Sequence, residues 1–299
     1  MDACSLAAWS CAAAAAVDAA STRPGLTSLE RPRRDQDPWG YALLPAAAYE
    51  ACLCSCRLGY LGSGGWTRCW LSSVERLAPH GNPGMGMLFL MSLQAAATGA
   101  AAGRGLYSVE HVMGFTRSLL EAEGVEGAEA FYRALRLLGP SYLGRIGYSR
   151  LPDAAPGSPE TPSARGVTLA ELADEASLYD PVLRDAARMM EASLGALLPE
   201  AWRLAEAGLP PGRIAWSLTL QALALEGDLL LRRKLGARAE EEARRLASEA
   251  LRGSAAAEAR LWRLLRHAGP GSAADLAANT MARLVYEMEA CRDNGCQHR

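Results

Sequence analysis

The sequence predicts an all-α protein: a single large multi-helix domain over residues 1–299, with about eleven helices and long functional loops between them. Three observations carry this. Half of the residues are hydrophobic, yet Val and Ile together number only ten in 299, while Ala and Leu dominate. Sheets draw on β-branched and aromatic residues, and helices on Ala and Leu. Apolar residues recur at helical spacing, as in Val182, Leu183, Ala186, Met190, Leu194 and Leu197, whereas no stretch alternates as a strand would.

The elements follow in order. Met1 to Ala20 is an Ala-rich helix with Asp2 and no basic segment, so it does not read as a secretory signal. Residues 21–38 are a Pro-broken polar loop. An apolar helix with Cys52, Cys54 and Cys56 ends in a Gly-rich turn at 59–65, and a second such turn lies at 79–86. Pro83 to Gly103 carries no charge over 21 positions, long enough to span a bilayer, but only Met85 to Leu93 is strongly apolar. The expectation is a helix buried on all sides. Residues 139–166 form the longest irregular segment, whose LPDAAPGSPETP portion reads as a mobile flap. Thr168 with Glu171 makes a capping box, and Ser272 with Asp275 resembles one. Glu240/Arg244 and Glu241/Arg245 are spaced as i,i+4 pairs along a polar helix face. Leu276, Ala277, Thr280, Met281, Leu284 and Val285 make the ridge of the last helix, before a polar tail at 293–299.

A net charge of −2 with 50% hydrophobic residues excludes a disordered chain and a general polyanion binder, so neither nucleic acid nor a membrane is an expected partner. Eight cysteines in a chain this long do not make a disulfide scaffold, and CxCxC splays around a helix, so buried thiols in a cytoplasmic protein are expected. Cys291 and Cys296 lie close enough in sequence to pair. Walker, dinucleotide-fingerprint, HExxH and GxSxG motifs are absent, and the four histidines show no ligand spacing.

What remains is a set of Gly-rich turns that feed helices: Gly62–Gly65, Asn82–Gly86 and Gly269–Ser272. Helix starts offer unpaired N–H groups and a positive dipole end, suited to phosphate, although such turns also serve as plain connections. The densest cluster is EGDLLLRRKLG, Glu226 to Gly236, with Gly236 a plausible C-cap. Of 31 basic residues, Lys234 is the one lysine. A compact ammonium is kept where a forked guanidinium would not fit, although cations also suit a helix C-terminus. Asp228 stands among leucines, where a carboxylate must be paired or bind a cation. Asp35, Asp37, Asp180 and Asp275 sit in loops or near helix starts. Acids that hold Mg²⁺, with amides and cations for phosphate oxygens, are what a metal–triphosphate site needs; each Asp alone would also serve as a cap.

RPGLTSLERPRRDQDPWGY, GNPGMGMLFLMSLQAAA, AFYRALRLLGPSYLGR, TLAELADEASLYDPVLRD, GDLLLRRKLG and GPGSAADLAA occur in an order that resembles the triphosphoribosyl-dephospho-CoA synthase family, closest to its archaeal-type branch, over roughly residues 15–290. The resemblance implies an all-helical transferase that uses ATP and Mg²⁺, displaces adenine and joins the ribose C1 to the 2′-hydroxyl of dephospho-CoA. Gly25 and Asp37 match PG-x-V…D. Asn82 and Gly86 match the outer positions of NTHKG, and Asp180 matches the YD element. Asp228, Arg233, Lys234 and Gly236 match D-x₄-RK-x-G, while Gly271, Ser272 and Asp275 match PGG-x-ADL. The chain departs at Pro83, Gly84 and Met85, where the family has Thr-His-Lys, and at Asp35, where it has His.

The resulting expectation assigns catalysis to Asp228, Asp275 and Asp180, and metal binding to Asp228, Asp37 and Asp275. Lys234, Arg233, Asn82, Gly84, Gly86, Gly271, Ser272 and Gly25 would bind the nucleotide. Two alternatives stand beside it: a sibling enzyme that uses the nucleotide in another cofactor pathway, such as one-carbon cofactor biosynthesis, and a non-catalytic helical scaffold.

Overall fold

The computed structural model describes residues 1–31, 37–139, 150–155, 158–266 and 268–294, with the side chains of 293 and 294 set aside. The described residues hold fourteen α-helices and no strand: α1 Ala3–Ala20, α2 Pro38–Tyr60, α3 Trp66–Leu77, α4 Met85–Ala102, α5 Val109–Leu138, α6 Pro162–Arg165, α7 Leu169–Ala176, α8 Pro181–Ala187, α9 Leu198–Glu206, α10 Pro211–Glu226, α11 Leu229–Leu235, α12 Ala237–Leu251, α13 Ala255–Leu265 and α14 Gly271–Asn294. The all-α expectation holds. The expected count of about eleven falls short: α6, with four residues, is too brief to register as a period, and the spacing that runs from Val182 to Leu197 is split at Met189 and Met190, which take positive φ, into α8 and a π-helical turn.

The buried residues form one continuous core. At its centre lies α4, where every residue from Met85 to Ala101 except Gly86 is buried. α1 and α4 are each long and apolar enough to cross a membrane. For α4 the apolar surface instead meets protein on all sides, from α1, α2, α3, α5, α8 and α14. Four aromatic rings, Trp66, Trp70, Phe89 and Phe131, lock α3, α4 and α5 together at centroid distances of 5.3–5.6 Å. The indole N–H of Trp70 donates to the Met85 carbonyl at 3.2 Å, which anchors the first turn of α4.

Helix ends follow their sequence signals. The Thr168–Glu171 capping box forms, and Gly236 ends α11 at φ +91°. Of the Gly62–Gly65 turn, read as suited to phosphate, the structure makes another use. The buried carboxylate of Glu123, at the break in α5, accepts from the N–H groups of Gly65, Trp66 and Thr67. The anion at this helix start is therefore the protein's own. The expected pairs on α12 do not form. Arg245 bonds Glu249 one turn later, and Arg244 donates to the open carbonyls of Ala224 and Leu225 near the end of α10. Glu240 turns inward against Gly227. Terminal carbonyls have no helical partner, and with Glu240 turned inward they take the Arg244 guanidinium.

The cysteine expectation is overturned for six residues. Cys4–Cys56 and Cys11–Cys52 join α1 to α2, and Cys54–Cys69 joins α2 to α3. A spacing of seven on α1 and four on α2 puts each cysteine pair on one helix face, and the antiparallel helices bring the two faces together. The middle Cys54 points the other way, to α3. Cross-links of this kind restrict the unfolded chain by about 2–4 kcal/mol each. Reduction with a strong thiol reagent should therefore lower the melting temperature, and non-reducing mass spectrometry should recover the Cys4–Cys56 peptide. Alkylation and peptide mapping that find Cys4, Cys11, Cys52, Cys54, Cys56 and Cys69 all as free thiols in the native, air-handled protein would contradict the pairing.

Candidate active site

Four helix N-termini meet at one cavity of about 440 Å³. They are the starts of α4, α8, α11 and α14, and a helix start is electropositive. The sequence places an aspartate at three of them, α8, α11 and α14. Asp180 caps α8 and accepts from Val182 and Leu183 N–H at 2.9 and 3.4 Å. Asp228 caps α11, accepting from Leu231 N–H at 2.9 Å, and its second oxygen accepts from Ala273 N–H in the first turn of α14 at 3.1 Å. Asp275, in that same first turn, accepts from the backbone of Met87 and so reaches the start of α4. The Ser272–Asp275 pair, read as a possible box, thus turns outward to α4, while Asp228 serves the start of α14.

Two glycines make this approach possible. A Cβ on Gly86 would lie 2.3 Å from Asp275 Oδ2, so only glycine leaves room for that carboxylate against α4. Gly25 has φ +68°, and a Cβ there would sit 2.0 Å from the Leu265 carbonyl oxygen. Its absence lets the 21–31 loop lie on the Gly269 turn.

The electrostatics are uneven. Burial pushes the Asp228 carboxyl up to about 7, against the hydrogen bonds it accepts. Asp275 is raised well above the usual carboxylate range, first by burial and then by Asp18, Asp228 and Asp180 around it. Asp180 is raised by burial, and its two N–H donors, Arg233 and Arg184 work against that rise. Arg233 and Lys234, from the last turn of α11, also line the cavity.

The structure brings most of the expected residues together. Gly25, Asn82, Gly84, Gly86, Asp180, Arg233, Lys234, Gly271, Ser272 and Asp275 all line the cavity. Asn82 accepts from Met85 N–H at 3.0 Å and so helps start α4. Two others stand apart. Asp228 is buried behind the wall, with both oxygens on backbone N–H groups. Asp37 caps α2 and bonds Trp39 N–H and His80 Nδ1, the latter at 2.7 Å, away from the cavity lining. Asp35 and much of the expected flap, 140–149 and 156–157, lie outside the described residues. Leu151 to Ala154 of that segment form cavity wall.

Sequence reasoning missed Asp18 and Arg23. Arg23 is buried, ion-paired with Asp18, and donates to Thr219 Oγ1 at 3.3 Å, while its Nε finds no protein partner. Both line the cavity. A lone carboxylate late in an Ala-rich helix, five residues before an arginine, is the signal that was there. Among the described residues no three His, Cys, Asp or Glu side chains converge into a metal cage.

The cavity thus gathers acids from helix starts and cations from the last turn of α11 in an all-helical chain. A family model, CitG, ATP:dephospho-CoA triphosphoribosyl transferase, matches residues 4–294, nearly the whole chain. The chain belongs to that transferase family, as its segment order suggested. No curated protein and no solved structure matches it.

Because Asp228 is raised from 3.8 to about 7, the folded protein keeps a proton that the unfolded chain releases between those values. Stability therefore falls as pH rises from about 4 to 7, and the deficit is complete above 7. Asp185, raised to about 6 by burial, acts in the same direction. Denaturant titrations of Asp228→Asn at pH 4 and pH 8 should show a smaller fall than in the wild type, by on the order of 2 kcal/mol. An equal fall in both proteins would mean that Asp228 is not the group titrating.

Proposed function

We propose that this chain transfers the 5′-triphosphoribosyl group of ATP to the 2′-hydroxyl of dephospho-CoA and releases adenine. The observation that carries this reading is the pairing, in one cavity, of the carboxylates of Asp180 and Asp275 with Arg233 and Lys234 at convergent helix starts. The family membership supplies the reaction class.

In this reading Lys234, Arg233, the N–H group of Gly84 and the Ser272 hydroxyl bind triphosphate oxygens, while the N–H of Gly271 stays on the Gly269 carbonyl and shapes the turn beside them. The Asp180 carboxyl, which burial pushes toward its protonated form and which its two N–H donors, Arg233 and Arg184 draw back toward the charged one, faces the ribose C1. As the C1–N9 bond breaks, the ring gains oxocarbenium character, which an adjacent carboxylate stabilises. The 2′-hydroxyl oxygen then bonds C1 and loses its proton, while adenine departs having gained one. The donor set suits Mg²⁺, since it is all oxygen, and Mg²⁺ is commonly held by one or two carboxylates plus substrate phosphates rather than by a full cage. Asp275 would hold it, and the crowding of Asp275 by other carboxylates is what a divalent cation relieves. When bound, Mg²⁺ neutralises triphosphate charge. Asp228 acts as a positioning residue that ties α11, with its cations, to α14. Such substrates imply a cytoplasmic setting, where disulfides are uncommon outside thermophilic organisms.

A second reading rests on Pro83 to Met85, which offers no ionisable side chain where the family resemblance expects His and Lys. A sibling enzyme would keep the nucleotide site and use another acceptor, and a scaffold would keep the fold with neither nucleotide binding nor reaction. The protein is incubated with ATP, Mg²⁺ and dephospho-CoA, and free adenine is followed by chromatography. Release should fall by about 100-fold or more in Lys234→Met and in Asp275→Asn. Nucleotide binding without adenine points to the sibling enzyme, and no binding at all overturns the proposal.

A further inference from the structure

The cavity has two chemically different ends. At one, α11 presents Arg233 and Lys234 beside the starts of α8 and α14. At the other, the wall is mostly hydrocarbon, with Leu135 and Leu138 from α5, Leu172 and Ala176 from α7, and Leu151 and Ala154 from the segment between α5 and α6, while Tyr132 and Asp153 are the polar residues among them.

The two ends are joined in a fixed order. α7 packs against both α5 and α8, and α11 packs against α14. Asp180 begins α8, directly after α7, and its carboxylate feels Arg233 of α11. Asp275 lies against Gly86, where Val182 of α8 also approaches. The carboxylates therefore stand between the cationic end and the hydrocarbon end.

The hydrocarbon end is built before any ligand arrives. The Tyr132 hydroxyl donates to the Pro152 carbonyl at 2.7 Å, which ties the 150–155 segment to α5. Asp153 accepts from Ala155 N–H at 2.9 Å, and Asp153 N–H donates to Glu160 at 3.0 Å, so the turn carrying Ala154 is held on both sides. A preformed apolar slot of this kind suits a flat, weakly hydrated ring rather than a charged group.

We infer that the α5–α7 end of the cavity is the subsite for the purine of the nucleotide donor, with the triphosphate lying toward Arg233 and Lys234. The inference rests on the proposed transferase reading. In a nucleoside triphosphate the phosphates and the base extend from the two ring carbons that flank the ring oxygen, C4′ (through C5′) and C1′, and in an extended conformer they point away from each other along the molecule. A molecule laid along this cavity in that direction puts C1′, the bond to be broken, beside Asp180. The reverse orientation would press a polyanion against hydrocarbon and leave two cations facing a neutral ring.

The test fills the slot and reads binding by calorimetry with Mg²⁺ present. Ala154→Trp is made in a partly exposed loop position, and Leu138→Trp, in the last turn of α5, is the second variant should the first fold poorly. The probes are ATP, inorganic tripolyphosphate and dephospho-CoA. The expected result is a loss of at least ~10-fold in ATP affinity, the scale set by forfeiting burial of an aromatic ring, with tripolyphosphate unchanged. Lys234→Gln should weaken tripolyphosphate and ATP alike. The subsite is overturned if Ala154→Trp and Leu138→Trp leave ATP binding intact, if they weaken tripolyphosphate as much as ATP, or if dephospho-CoA is the ligand they displace. Wild-type protein that binds ATP but releases no adenine would sink the reaction while leaving the subsite standing; wild-type protein that binds no ATP sinks both.

Discussion

The placement of Asp228 is the constraint on which the site depends. One carboxylate, buried among leucines, joins the starts of two helices, with one oxygen for α11 and the other for α14. That joint sets where α11 ends and hence where Arg233 and Lys234 project. It also places the first turn of α14, and with it Asp275, against α4. Burying the acid is costly in itself, because burial disfavours its charged form. A core leucine would pack there at no such cost but could not hold two helix starts.

The same device recurs with different outcomes. Glu123 fills the start of α3 and closes it, so that turn has no room for another anion. Asp185 fills the start of the π-helical turn at Glu191–Leu197, accepting from Ala192 and Ser193 N–H at 2.9 and 3.1 Å. At the cavity, Asp180 and Asp275 occupy helix starts without closing them, because they border open space and cations lie close by. A buried carboxylate at a helix start is thus a joint where protein surrounds it, and a group open to a ligand where it borders a cavity.

The disulfides bear on this arrangement through α1. Its last turn carries Asp18, which pairs with Arg23 and faces Asp275, and its other end is clamped to α2 by two cross-links. A long Ala-rich helix has little side-chain bulk with which to fix its own register. Covalent ties near its start help hold the wall that Asp18 and the 21–31 loop contribute.

Much of this was legible in the chain. The scarcity of Val and Ile determined an all-helical fold, and Thr168 with Glu171, Gly236 and the three Gly-rich turns each marked a helix boundary, because caps depend on neighbours within a few residues. The motif residues Asn82, Asp180, Lys234 and Asp275 named most of the site for the same reason, being local and ordered along the chain. Tertiary structure alone decided the rest. It set Asp228 behind the wall and Asp37 on His80, placed Asp18 and Arg23 at the cavity, and turned six thiols into three cross-links. It also separated a hydrocarbon end from a cationic one. Those outcomes depend on which helix faces meet across dozens of residues, and the spacing within any one helix leaves that open.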